Sequence, residues 1–250
     1  MAGTLEGRKA VVTGASSGIG EATAAALAAE GAEVAIGARR RDRLEELARR
    51  IASDGGTAHA LEVDVSGEES ARSFVEEAAK RMGGVDVLVN NAGLMLLGPV
   101  EGADTGEWRT MVEVNLLGLL YCTHAALPIM RERGGGHVVN VSSVAGRSAN
   151  AGSAVYNLTK FGVTAFSEAL RQEVLEANVR VTCVEPGFVE TELQGHNRNP
   201  DVLEAIENMK QTAGEVLTAQ DIADAIVYAV SRPPRVNINE ILVRPTGQRR

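Results

Sequence analysis

Residues 11–22 read VVTGASSGIGEA: a β-branched run, then glycines at 14, 18 and 20, then the start of an alanine-rich segment. The first part predicts a strand and the last a helix, so the glycines occupy the turn between them. Glycine suits that turn for two reasons. The backbone must bend tightly, and an anion must be able to approach the helix N-terminus, where free N–H groups and the helix dipole favour negative charge. The spacing G-x-x-x-G-x-G is a variant of the dinucleotide-binding fingerprint, which makes Gly14, Gly18 and Gly20 candidate pyrophosphate-binding residues. The competing reading is a glycine-rich turn chosen for tight strand–helix packing alone.

The rest of the chain repeats this rhythm. KAVVTG, AEVAIG, AHALEVDV, VDVLVNN, HVVNVSS, VRVTCVEP and EILVRP are seven strand candidates, several apolar almost throughout, as strands covered on both faces should be. Between them lie IGEATAAALAAE, RDRLEELARRIAS, EESARSFVEEAAKRM, a long helical stretch over about 107–133 and another over about 154–177. That order predicts an α/β fold with a doubly wound parallel sheet. Gly31 and Asn178 stand where helices should stop, since both residue types tolerate the left-handed conformation. With 250 residues and no linker-like stretch, residues 1–250 are expected to form one domain. The stretch about 190–215, including LQGHNRNPDVLEAIENMKQ, breaks the pattern: it is polar and weakly periodic. It follows a strand at the edge where such sheets bind ligands, and is read as a substrate lid; the plainer reading is a surface excursion with a short helix.

Composition narrows the function classes. Twenty-five Lys and Arg stand against 33 Asp and Glu, a net charge of −8, which argues against nucleic acid or an anionic membrane as partner. Cys122 and Cys183 sit in apolar runs and read as packing residues, and the four histidines show no metal-ligand spacing, so no metal is expected. No apolar run is read as approaching a membrane span, and the N-terminus lacks the apolar core of a signal peptide. A soluble cytoplasmic protein is expected.

The second strand ends near Ala38, twenty positions after Gly18, where an NAD-binding chain offers an acid to the ribose hydroxyls. Here the residues are Ala38, Arg39, Arg40 and Arg41. A guanidinium in place of the acid suits a ribose 2′-phosphate, so NADP(H) is the expected cofactor. Arg39 is the first candidate for that phosphate, with Arg40 beside it; the later arginines read as a solvated helix start paired with Asp42, Glu45 and Glu46.

AVYNLTK, residues 154–160, sets Tyr156 and Lys160 four positions apart on one helix face. Bringing a tyrosine of pKa ~10 to neutrality takes about three units, or roughly 4 kcal/mol. One cation at ~4 Å, in an effective dielectric of ~20, supplies about the same. The pair can therefore be a tuned acid/base; the competing reading is chance, since tyrosine and lysine meet at this spacing in many helices. Asn115 lies inside the apolar run MVEVNLLGLLY, where an amide must find partners if buried; a structural network or a local helix distortion is one reading of it.

Taken together, these motifs resemble the short-chain dehydrogenase/reductase family over essentially the whole chain: TGASSGIG at 13–20, Asp64 and Val65, NNAG at 90–93, Asn115, Ser143 in VSSVAG, Tyr156 with Lys160, and PGFVET at 186–191. Within it, NNAGLMLLGPVEGADTGEW and EILVRPTGQ are similar to bacterial NADPH-dependent reductases of the clavulanic acid dehydrogenase type. The resemblance implies a Rossmann-type seven-stranded fold and reversible hydride transfer between NADP(H) and a small carbonyl or alcohol. Tyr156 is then the general acid or base, and Lys160 lowers its pKa and holds the nicotinamide ribose. Ser143 bonds the substrate oxygen, and Asn115 is a water-mediated proton relay behind Lys160. It also implies cofactor contacts from Ser16, Ser17 and Ile19 near the phosphates, Asp64 and Val65 at the adenine, and Asn91, Ala92 and Gly93 at the ribose. Pro186, Gly187, Val189 and Thr191 then lie at the carboxamide. A homotetramer is expected, with the two helices from Glu107 and Ala154 as buried faces. A 3-oxoacyl thioester reductase is the alternative, with only a thin basic patch at Arg131, Arg133 and Arg171. A non-catalytic NADP-sensing regulator has no use for tyrosine, lysine and serine together. Trp108 reads as a packing or interface residue.

Overall fold

The computed structural model describes residues 3–249. Seven strands form one sheet: β1 (Lys9–Thr13), β2 (Glu33–Ala38), β3 (Thr57–Glu62), β4 (Val87–Asn90), β5 (Gly136–Val141), β6 (Val179–Pro186) and β7 (Glu240–Val243). Their order is β3-β2-β1-β4-β5-β6-β7, and every pairing is parallel. The expected doubly wound sheet is the one observed. Chain order reverses between β1 and β4, the switch point at which such sheets open a crevice for ligands. The glycine turn leaves β1 at that point.

The described residues form eight α-helices: α1 (Gly18–Ala29), α2 (Arg41–Ser53), α3 (Glu68–Met82), α4 (Thr105–Val112), α5 (Gly118–Glu132), α6 (Ala154–Glu173), α7 (Pro200–Ala213) and α8 (Ala219–Val230). Strand alternation divides the core. Ala10 and Val12 of β1 pack with Leu27, Leu44 and Ile226 from α1, α2 and α8, whereas Val11 faces Phe74, Cys122 and Leu170 from α3, α5 and α6. Central strands are buried on both sides, which explains their continuous apolar sequence. The edge strands β3 and β7 are half exposed. Asn178 adopts the left-handed conformation (φ 54°), as its place after α6 predicts. Both cysteines are buried free thiols; burial pushes Cys122 up to about 12 and Cys183 up to about 11.

Two stretches depart from the sequence reading. Residues 105–132 run as one continuous helical rod, long and apolar enough by composition to cross a membrane, with a mean hydropathy of 1.3 in its most apolar window. The expectation that no run approaches a membrane span is thereby corrected. The apolar face explains the composition: Cys122, Ala126 and Met130 pack in the core against α3 and the sheet. Within 190–215 a full helix, α7, stands where the periodicity is weak. Its start is set by local chemistry: Asn199 accepts from the Asp201 N–H, and Pro200 fills the first helical position, where its missing N–H costs nothing.

Candidate active site

The parallel sheet places several candidate residues just beyond the C-terminal ends of its strands. Gly14 follows β1, Arg39 and Arg40 follow β2, Asp64 lies just beyond β3, Asn91 to Gly93 follow β4, Ser143 follows β5, and Gly187 follows β6.

Geometry at the glycine turn supports both an anion cradle and close packing. Gly14 (φ 66°) and Gly18 (φ 57°) are left-handed, a conformation that favours glycine. A Cβ on Gly20 would lie 2.4 Å from Asn91 Nδ2 and from the Gly14 carbonyl oxygen. Asn91 fixes the turn by donating its side-chain amide to the Thr13 and Gly14 carbonyls (3.0 and 3.2 Å), while the Thr13 hydroxyl accepts from the Asn91 and Ala92 N–H groups. Ser17 begins α1 with extended backbone and makes no side-chain cap to the helix N–H groups.

Arg40, the neighbour of the first phosphate candidate Arg39, reaches this turn. Its Nε and Nη2 donate to Ser16 Oγ (3.1 and 3.0 Å), Nη2 also to Ser17 Oγ (2.8 Å), and Nη1 to Glu192 Oε2 (2.8 Å). Arg39 stands nearer Asp64, whose carboxyl is held below the usual range chiefly by the Ser66 hydroxyl, with the charge of Arg39 adding. Arg41 pairs with Glu45 as its spacing predicts. The Val65 side chain is buried, against Gly118.

Across the sheet, α6 brings Tyr156 and Lys160 to the ends of β5 and β6, and both are buried. Lys160 Nζ lies 5.9 Å from the Tyr156 ring centroid and donates to the Val141 carbonyl at 2.9 Å. The phenol is raised rather than lowered. Burial pushes Tyr156 up to about 12, against the opposing hydrogen bond of Ser143, and burial draws Lys160 down to about 8. Desolvation dominates for both groups because both are buried.

Ser143 and Tyr156 are brought together, and the neighbouring hydroxyl is otherwise engaged. Ser142 Oγ donates to the Lys160 carbonyl (2.9 Å), whereas Ser143 Oγ accepts from the Ala145 N–H at 3.1 Å at the head of a 3-10 turn. Asn115 lies in a single π-turn, Glu113–Leu117, inserted between α4 and α5, so the local helix distortion is observed. Its amide exchanges hydrogen bonds with the Leu94 backbone (2.8 and 2.9 Å) and donates to Thr159 Oγ1 (3.1 Å). A Cβ on Gly93 would stand 3.3 Å from Asn115 Oδ1 and 3.7 Å from Lys160 Nζ, so this glycine leaves open a space faced by both. Beyond β6, Val189 is buried and bridges to Leu217, and Thr191 Oγ1 caps the next turn at Leu193. Trp108 helps line a shallow depression with Leu96, Leu97 and Val155.

Three contacts escape a sequence reading. Arg147, on the loop after Ser143, donates Nε to both oxygens of the fully buried Glu185 (2.8 Å each) and pairs with Glu240. Asn197 Oδ1 accepts from the Leu97 N–H (2.8 Å) and its amide donates to the Met95 carbonyl (3.1 Å), tying the 190–215 segment to the loop after β4. Glu192 holds Arg40. Each joins residues tens of positions apart, with no local pattern to announce it.

The chain matches the family model described as short chain dehydrogenase over residues 8–201. It is 40% identical over 240 residues to an uncharacterised oxidoreductase of Staphylococcus saprophyticus, covering 95% of this chain and 96% of that one. Among solved structures it is similar to an alcohol dehydrogenase of the archaeon Thermococcus sibiricus complexed with 5-hydroxy-NADP (32% identity, TM-score 0.86, 97% and 98% of the two chains). It is also similar to the closed form of a serine dehydrogenase complexed with NADP+ (34% identity, TM-score 0.88, 96% of each chain).

Proposed function

The chain belongs to the short-chain dehydrogenase family, and we propose that it is an NADPH-dependent reductase that converts an aldehyde or ketone of a small metabolite to the alcohol, reversibly. Membership makes it an NAD(P)-dependent oxidoreductase acting on small molecules. The observation that carries the finer reading is the meeting of Tyr156, Ser143 and Lys160 on the same edge of the sheet as the glycine turn.

Bound NADPH supplies hydride to the carbonyl carbon. Tyr156 delivers the proton to the oxygen: at about 12 the phenol is protonated at neutral pH, the state a general acid needs. Ser143 donates to the substrate oxygen as negative charge develops there. Lys160, at about 8, is still mostly charged at neutrality; its ammonium serves the ribose hydroxyls and steadies the phenolate left after proton transfer. Asn115, facing the same opening beside Gly93, is the relay position behind Lys160. Gly14, Ser16, Ser17, Gly18, Ile19 and Gly20 hold the phosphates in this reading. Asp64, Val65, Asn91, Ala92 and Gly93 hold the adenosine, with Val65 acting through its backbone. Pro186, Gly187, Val189 and Thr191 hold the carboxamide, and the segment 190–215 is the lid.

Arg39 and Arg40, with no acid at the end of β2, support NADP(H), as do the NADP-type ligands of the two solved relatives. Replacing Tyr156 by Phe is expected to abolish NADPH oxidation on a panel of aldehydes and ketones while leaving NADPH binding intact; retained kcat would remove Tyr156 from the mechanism. A kcat/KM with NADH equal to or above that with NADPH would remove the cofactor assignment. Exposed apolar side chains on α6 (Leu158, Phe161) and α8 (Tyr228) support a homotetramer, in a cytoplasmic setting, tested by light scattering.

One observation favours the thioester alternative. Arg133 and Arg171 share a depression of about 430 Å3 with Arg8, Arg180 and Arg235, a thicker basic patch than the sequence implied. It opens at the N-terminal ends of β4 to β6, opposite Tyr156, and Arg133 and Arg171 are already engaged by Asp86 and Glu168. The small-metabolite reading therefore ranks first, and acetoacetyl thioesters belong in the same panel.

A further inference from the structure

The Glu192 carboxylate collects the partners that a phosphate group would. Arg40 Nη1 donates to its Oε2 at 2.8 Å, Arg43 Nη1 lies 3.9 Å from its Oε1, and the Ser17 hydroxyl adds a further hydrogen bond. Two guanidinium groups and a hydroxyl at the mouth of a helix N-terminus are a donor set suited to a phosphate oxygen. The remaining donors of Arg40, Nε and Nη2, are held by Ser16 and Ser17 on the glycine turn, so Nη1 is the edge of the fork that Glu192 controls. Glu192 arrives from a segment 152 residues further along the chain, directly after Thr191, whose methyl group would be 3.1 Å from a Cβ on Gly18. The carboxylate is thus delivered to this place by tertiary packing around the turn.

We infer that Glu192 is an internal competitor for the Arg40 fork: its carboxylate must give way, or stand beside a like charge, when a ribose phosphate binds, and it thereby limits the preference for the phosphorylated dinucleotide. The inference rests on the NADP(H) reading of Arg40. Energetically the competitor is displaceable. Arg40 and Glu192 side chains are 43% and 48% exposed, so the pair is a solvent-screened one, weak enough for a phosphate dianion to break. Its loss leaves the charge of Arg40 and Arg43 unopposed. Glu192→Gln keeps the shape and removes the charge.

The experiment is isothermal titration of the full chain with adenosine 2′,5′-bisphosphate and with adenosine 5′-monophosphate, for wild type, Glu192→Gln, Arg40→Met and the double variant. Binding is read directly, without turnover. Glu192→Gln is expected to tighten the bisphosphate about 1.4- to 5-fold, the range of a screened surface charge pair. The monophosphate should tighten less, the gain should vanish in the Arg40→Met background, and it should shrink at high salt. An unchanged or weakened bisphosphate affinity in Glu192→Gln overturns the inference; weakening would make Glu192 a clasp that closes over the nucleotide. The two readings separate cleanly. If wild type prefers the bisphosphate and Glu192→Gln changes nothing, the competitor is refuted and the NADP(H) assignment stands. If wild type binds both nucleotides equally and Glu192→Gln acquires the preference, the competitor stands and the NADP(H) assignment of the native protein falls. If neither protein discriminates, both fall.

Discussion

His137 gives the fold an acid liability whose size follows from its surroundings. At 1% exposure, near the start of β5, its Nε2 lies 2.7 Å from Thr182 Oγ1. The Thr182 hydroxyl has one proton and donates it to the Ile238 carbonyl at 2.6 Å, so Nε2 carries the imidazole hydrogen and Nδ1 is left bare. Nδ1 has no hydrogen-bond partner among the described residues. Protonating it would bury a cation beside Arg180; desolvation first, and that guanidinium second, depress the group to about 3. In the unfolded chain it titrates near ~6.5. A folded-state pKa below the unfolded one means the contribution is complete above about 6.5 and is lost as pH falls toward about 3, because only the unfolded chain takes up the proton over that window. Between pH ~7 and ~5 the loss is RT ln[(1 + 10^1.5)/(1 + 10^−0.5)], or about 2 kcal/mol, a large share of a typical stability of ~5–15 kcal/mol. Urea unfolding of wild type and His137→Gln at several pH values reads it. Glutamine keeps an amide donor toward Thr182 and cannot titrate. Wild type should lose about 2 kcal/mol more than the variant over that interval, whichever protein is the more stable at neutrality. Parallel stability curves for the two proteins across that window would refute the reasoning.

At the glycine turn, Gly20→Ala should cost about 1–3 kcal/mol in urea unfolding and weaken dinucleotide binding, since its Cβ must displace Asn91 and the Gly14 carbonyl; Gly98→Ala, with open space around it, is the neutral control. For the Arg147–Glu185 pair the expected effects are unequal: Arg147→Ala strands a fully buried carboxylate and should cost about 3–5 kcal/mol, whereas Glu185→Gln removes that charge and leaves a partly exposed arginine that can turn to water, so it should cost less. Equal losses by urea unfolding would show that burial of the charge is not what matters there.

The fold was legible because its signals are local. β-branched runs, alanine-rich stretches, and glycine or asparagine at turns and helix stops each report on a few neighbouring residues, and their alternation leaves a parallel sheet as the arrangement that buries both faces. The Tyr156–Lys160 pair was legible for the same reason, as a helix repeat sets it. Weak periodicity left a helix at α7 only as the plainer of two readings, although the Asn199–Pro200 cap was present to be read.

By itself, then, the sequence determined the order of strands and helices, the glycine turn, and the spacing of the phenol, the ammonium and the hydroxyl. Tertiary structure decided the electrostatics and the partners. It set Tyr156 at about 12 and Lys160 at about 8, turned Arg40 onto Ser16 and Ser17 of the glycine turn, and seated Glu192 on that arginine. It also closed Arg147 onto Glu185 and bent the Asn115 helix into a π-turn. The physical reason is that spacing along a helix or strand is a property of the backbone, whereas desolvation and long-range ion pairing depend on what the folded chain brings from elsewhere to surround each charge.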